Sequence, residues 1–134
     1  PDLHLAITPD GPRGPRRKMK EGIVYISSRS GRPIVPTALV CNRYWAIGGN
    51  WSDMVIPKPF SKVILIAGTP IEVPADLPRE NMTIRADFVS EEMGRLERIA
   101  QRILAGDASA QVEIDRTSNR DYRPTADQTV ARAA

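Results

Sequence analysis

One cysteine and one histidine serve a chain of 134 residues. The lone Cys41 excludes an intramolecular disulfide and a cysteine-cluster metal site. The apolar Ala38, Leu39 and Val40 before it predict an ordinary buried thiol. Aromatic residues are scarce, at 5%, and no repeat of about 20 to 50 residues is visible. No segment approaches the ~18 consecutive apolar residues of a membrane-crossing helix, and the opening residues lack a signal-peptide pattern. What remains is the composition of one modest globular domain, 41% hydrophobic and 26% charged, with a net charge of only +3.

The charge is local instead. Arg13, Arg16, Arg17, Lys18 and Lys20 fall in one eight-residue window that holds no acid. They belong to, or directly follow, the stretch Thr8-Pro9-Asp10-Gly11-Pro12-Arg13-Gly14-Pro15-Arg16. Glycine and proline set an unusual backbone path there, and arginine offers a planar fork of donors suited to phosphate or carboxylate. Residues 3–8 (Leu-His-Leu-Ala-Ile-Thr) read as a short buried strand entering that loop, and a helix can begin near Lys20. Open α/β sheets build anion sites in this way, at the carboxyl ends of their strands. No Gly-Lys-Ser/Thr follows the glycines, so a P-loop nucleotide site is set aside.

The remainder fits an α/β plan. Over residues 20–30, Ile23, Ile26 and Ser27 share one side of a helical wheel beside Val24, with Arg29 and Gly31 placed to end the helix. The nearly continuous apolar run from Ile34 to Cys41 predicts a strand covered on both faces. Together with residues 3–8 this predicts a right-handed βαβ unit. A further strand is expected at 63–67, and Ile71 to Val73 as a short edge strand between Pro70 and Pro74. Ser90, Glu91 and Glu92 can open a helix that Gly106 ends, its core stripe being Met93, Leu96, Ala100, Ile103 and Leu104. Residues 107–134 read as a disordered or weakly helical tail. Tyr44, Trp45 and Trp51 can form an interfacial aromatic belt or fold back over the core, the second being favoured on composition.

Four blocks stand in order: Thr8 to Gly14; Gly31-Arg32-Pro33-Ile34-Val35-Pro36; Trp51-Ser52-Asp53-Met54-Val55-Ile56-Pro57-Lys58-Pro59-Phe60; and Gly68-Thr69-Pro70-Ile71. In this order and spacing the chain resembles the lysophospholipid acyltransferase superfamily, and within it a bacterial branch of unknown function. The resemblance runs from His4 to Pro74. Thr8 to Gly14 lies where glycerol-phosphate acyltransferases carry Phe-Pro-Glu-Gly-Thr-Arg-Ser. The fold it implies is part of a glycerol-phosphate-acyltransferase-like α/β sheet with flanking helices over 1–106, followed by the flexible tail at 107–134. The activity it implies is acyl transfer from a coenzyme A or acyl carrier protein thioester to an anionic lipid or glycerol-phosphate-like acceptor. Neither a metal nor a further cofactor is implied, and the expected station is peripheral, at the cytoplasmic face of the inner membrane.

By the same resemblance the acceptor's phosphate or other anion falls to Asp10, Gly11, Pro12, Arg13, Gly14 and Arg16. Arg13 stands where the family has its phosphate-contacting arginine, with Arg16 in support. Asp10 either orients Arg13 or binds an acceptor hydroxyl. Asp10 is one methylene shorter than the family's glutamate, and Pro12 replaces a threonine, removing a hydroxyl and a backbone donor.

The family's general base is a histidine followed five residues later by an aspartate, well upstream of this loop. Here the one histidine, His4, lies in the segment entering the loop and precedes Asp10 by six residues. It reads as a strand residue with a satisfied ring. No catalytic residue is assigned within the chain, which resembles the carboxyl-terminal part of an acyltransferase and is expected to be inactive alone. Two other classes remain beside it: a non-catalytic remnant that binds a membrane surface or partner, and a nucleic-acid module using the basic cluster. The latter lacks any helix-turn-helix, zinc or aromatic RNA-binding pattern, so no nucleic acid is expected.

Overall fold

A buried i, i+3, i+4 set makes the first helix. Val24, Ser27 and Ser28 are the inward residues of α1 (Gly22–Ser30), and Arg29 lies in its last turn. Gly31 closes it at φ 66°, its N–H bonded to the Ser27 carbonyl. That is the left-handed stop for which glycine is suited. The face is rotated from the expected one, since Ile26 is exposed and Ser28 is buried. Serine is tolerated inside because its hydroxyl is satisfied. Ser28 Oγ donates to the Pro74 carbonyl at 2.8 Å and accepts from the Leu77 N–H at 3.1 Å. The computed structural model describes residues 4–8, 18–48 and 54–118.

The strands pair otherwise than a βαβ unit would. β1 (Thr37–Cys41) runs antiparallel to β4 (Val63–Ala67), with Leu39 opposite Leu65. Between them the chain makes an excursion, β2 (Tyr44–Ile47) antiparallel to β3 (Met54–Pro57). The result is two small antiparallel sheets of two strands each, within a mixed fold of helices and strands. Residues 4–8 are exposed and lie in no strand, so the expected parallel partner of β1 is not formed among the described residues. Pro33, Pro36 and Pro70 interrupt the ladder before it reaches Ile34, which keeps a single antiparallel bridge to Ile71. Ile71 to Val73 is accordingly no edge strand. Proline cannot donate to a ladder, which accounts for both shortenings.

α2 (Arg79–Leu104) is the spine, 26 residues long and so about 39 Å at 1.5 Å per residue. Its Ala86 and Val89 close one cluster with Val24, Ile34 and Val73. Its Leu96, Ile99 and Ala100 close a second with Ala38 and Ile66. The helix starts eleven residues before Ser90, directly after Pro78, whose fixed φ suits a helix entry. Ser90 is therefore an interior residue, not a cap. The sheet is covered on one face only: Ala38 and Ile66 face α2, whereas Leu39, Val63 and Leu65 are exposed. Cys41 is half-buried rather than buried.

Residues 108–118 form helix α3 (Ala108–Ser118), within the stretch expected to be disordered or weakly helical. Ala110 is buried in the second cluster and Ile114 packs against it. The folded unit thus extends past Gly106. Residues 119–134 lie outside the described part.

Candidate functional site

The loop singled out by the sequence, with Asp10, Gly11, Pro12, Arg13, Gly14 and Arg16, lies outside the described residues. Its two flanks are described. Upstream, His4 to Thr8 are exposed and unpaired in any sheet, so His4 is not the strand histidine expected. Downstream, Lys18 and Lys20 are exposed while Met19 packs against the Val24 cluster. Met19 thereby fixes its neighbours Lys18 and Lys20 against the core immediately before α1.

α1 begins without a side-chain cap and without an acid in its first turn. The first amides of a helix lack intrahelical partners and carry the positive end of its dipole. The N-cap residue itself, Glu21, carries a carboxylate that accepts from the Thr83 hydroxyl of α2 and keeps its charge. The sequence before it sets five cations, Arg13, Arg16, Arg17, Lys18 and Lys20, against that one carboxylate, a balance that favours anions.

A second region is the aromatic segment for which the sequence left two readings, with folding back over the core favoured. All eight residues of the β2–β3 hairpin are exposed, so Tyr44 and Trp45 do not fold back over the core. Trp51 lies outside the described residues. Beyond β3 the chain turns through Lys58 to Ser61, the Ser61 N–H bonding the Lys58 carbonyl at 3.1 Å. Phe60 in that turn has φ 62° and is completely exposed. A bulky L residue in left-handed backbone is a strained outlier. The Pro57-Lys58-Pro59-Phe60 string was the available signal, since paired prolines mark a forced turn.

Ion pairs gather elsewhere among the described residues, along α2 and where it meets α3. Arg95 grips Glu92 with two bonds, Nε to Oε2 at 2.9 Å and Nη2 to Oε1 at 2.6 Å. These bonds hold the Glu92 carboxyl below its usual range and raise the Arg95 guanidinium. Arg102 bonds Asp107 and Glu113, each at 2.9 Å, and the Asp107 bond chiefly raises its own pKa. Asp107 is drawn down to about 2, first by Ser109 and then by Arg102. The Arg102 bonds tie α2 to α3, whereas Glu92 and Arg95 pair within α2.

Among the described residues, no group of three or more histidine, cysteine, aspartate or glutamate side chains can hold a metal ion. No described helix is long and apolar enough to cross a membrane.

The chain is similar to an uncharacterized protein of Rickettsia prowazekii (strain Madrid E), 29% identical over 87 residues. The match takes in 65% of this chain and 39% of that protein. The chain therefore spans about two fifths of the length of the curated relative it matches. No protein-family model matches the chain, and no solved structure matches it significantly.

Proposed function

We propose that this chain supplies the anion-holding part of a lipid acyltransferase that uses an acyl thioester. The observation that carries the reading is the ordered set of four blocks between Thr8 and Ile71. The fold class behind it is a partial glycerol-phosphate-acyltransferase-like sheet, with β1 leaving the Ile34-Val35-Pro36 block. The uncapped start of α1 and the Met19 anchor agree with an anion held between Arg13, Arg16 and the helix terminus.

In this mechanism a base outside the chain takes the proton of the acceptor hydroxyl. The oxygen attacks the thioester carbonyl, an ester C–O bond forms, and the C–S bond breaks. The departing thiolate, of coenzyme A or acyl carrier protein, takes up a proton. Arg13 and Arg16 hold the acceptor's phosphate so that its hydroxyl meets the thioester, which is the proximity share of catalysis. Asp10 orients Arg13 or accepts a bond from an acceptor hydroxyl. The setting is peripheral, at the cytoplasmic face of the inner membrane.

The test is an amide-resolved titration of the chain with glycerol 3-phosphate and with inorganic phosphate. Shifts should gather at residues 10–16 and at the first turn of α1, and Arg13→Gln should abolish them. Shifts that survive Arg13→Gln, or that gather elsewhere, would remove the reading.

A further inference from the structure

The β2–β3 hairpin exposes side chains that a protein surface normally covers. Its register puts Trp45 opposite Ile56 and Ile47 opposite Met54. Because strand side chains alternate, these four share one face of the ribbon. Trp45 is 50% exposed, Ile47 55% and Met54 62%, and Phe60 at the hairpin's base reaches 102%. The opposite face, Tyr44, Ala46, Val55 and Pro57, is exposed as well. A contiguous apolar surface of this kind marks a contact with something apolar.

Charge distinguishes a lipid surface from an apolar protein surface. Arg43, Lys58 and Lys62 stand at the base of the hairpin, where the Lys58 N–H bonds the Arg43 carbonyl at 3.0 Å. From Gly31 to Ile71 the one acid is Asp53, outside the described residues. The Lys58 ammonium lies 5.8 Å from the centre of the Trp45 ring, which joins a cation to an aromatic at the boundary between wet and apolar ends. Tryptophan and tyrosine settle at headgroup depth, and lysine stems lie along apolar surface while their ammonium groups reach water and phosphate.

The backbone supplies an independent observation. Phe60 is held in left-handed backbone yet touches solvent on every side. Strain of this kind gathers at ligand clamps and binding loops. Nothing in the described core benefits from presenting that ring.

We infer that the β2–β3 hairpin and Phe60 form an interfacial anchor for anionic lipid. The ribbon lies flat on the bilayer, with Trp45, Ile47, Met54, Ile56 and Phe60 entering the headgroup boundary and Arg43, Lys58 and Lys62 pairing with lipid phosphates. The assignment builds on the lipid-acyltransferase reading by naming the element that meets the lipid, and its test uses neither acyl donor nor acceptor, so either can fail alone.

The experiment measures partitioning of the full chain onto phosphatidylcholine vesicles with and without phosphatidylglycerol, whose negative surface charge attracts basic segments. Brominated lipids report the depth of the tryptophans. Binding to the anionic vesicles should shift tryptophan emission to the blue, with quenching by bromine. Lys58→Gln and Lys62→Gln should each weaken partitioning roughly fivefold, the effect of one basic residue near an anionic surface. Phe60→Gly should weaken it about tenfold or more by removing the aromatic ring that leaves water on binding.

Glycine also releases the left-handed strain, so that variant should unfold at the same or a higher temperature than the parent. Its loss of binding then cannot be a loss of fold. A substitution of Arg13, Arg16 and Arg17 together by glutamine separates the upstream basic run, and should leave bromine quenching in place. Unchanged partitioning of Phe60→Gly would overturn the assignment. So would an absence of vesicle binding accompanied by a concentration-dependent dimer that Phe60→Gly dissolves, since the face would then belong to a second copy.

Discussion

Gly68 sits against Leu96 so tightly that a β-carbon on Gly68 would lie 2.9 Å from the leucine Cδ1 and 3.1 Å from Pro36 Cγ. The Gly68 N–H also bonds the Pro36 carbonyl at 2.8 Å. Here the end of β4 passes under α2, and the bare glycine lets sheet and helix close on each other. Leu96 is completely buried and belongs to the cluster that holds both strands.

Substitution at Gly68 should therefore cost stability through overpacking alone. Gly68→Ala can be met partly by movement of the leucine's far end, whereas Gly68→Val cannot. Overpacking of a filled core costs typically about 1 to 3 kcal/mol, with alanine near the lower figure and valine near the upper. Urea unfolding with a shared m-value checks this. A neutral Gly68→Val would mean that α2 is not docked as described.

Ser28 offers a polar counterpart. Its hydroxyl links α1 to the 74–77 turn by donating to Pro74 and accepting from Leu77. Ser28→Ala would remove the two hydrogen bonds that this buried serine makes to the part-exposed 74–77 turn, at a net cost of about 0.5 to 1.5 kcal/mol each. The exposed Ser30, in the same helix, provides the comparison, and Ser30→Ala should stay within about 0.5 kcal/mol as surface changes do. Equal thermal midpoints for the two variants would contradict the buried link.

The fold was legible where local chemistry decides and obscure where distant contacts decide. Gly31 and Arg29 announced the end of α1 because a left-handed stop needs glycine. The Leu96, Ala100 and Ile103 stripe was readable from spacing, but Ser90-Glu91-Glu92 imitates a helix entry and hid the first half of α2. Ala86 and Val89 extend the same stripe backward. Strand direction was not legible: an apolar run predicts burial, and β1 is covered on one face only. α3 was hidden because its contact residue is a small alanine, Ala110, in a polar stretch. Of the candidate surfaces, the basic loop was visible as composition and the aromatic segment as one of two readings, but its exposed face depends on a register and a φ angle that no residue type reveals.

Acid should loosen α3 before the rest of the molecule. Asp107 accepts from the Ser109 N–H at 2.9 Å, the arrangement by which an aspartate caps a helix start. Its carboxyl titrates near 2 in the folded chain against 3.8 ordinarily. Because the folded value is the lower one, the stabilisation is complete above pH 3.8 and disappears as pH falls toward 2. Amide exchange in residues 108–118 should quicken over that interval while Val24 and Val89 stay protected. Asp107→Ala should show the quickened exchange already at neutral pH and a smaller further change on acidification than the parent.

Arg13 is the side chain on which the acyltransferase reading stands or falls in a catalytic assay. The 134-residue chain holds no histidine followed by aspartate at the family's spacing, so on its own it should transfer no acyl group from any thioester. Turnover abolished by His4→Ala would restore His4 as the base. In a longer protein that carries the base, Arg13→Lys should lower acceptor use roughly ten- to hundredfold, the worth of a charged hydrogen bond. Lysine keeps the charge and loses the planar fork that binds phosphate with two parallel bonds. The acyl-donor KM should move little, because the thioester is held elsewhere. Steady-state kinetics with each substrate varied in turn separates the cases. Damage from Arg16→Lys with Arg13→Lys intact would shift the phosphate contact to Arg16. If neither substitution matters, the loop is a proline-stiffened turn and its arginines serve only solubility.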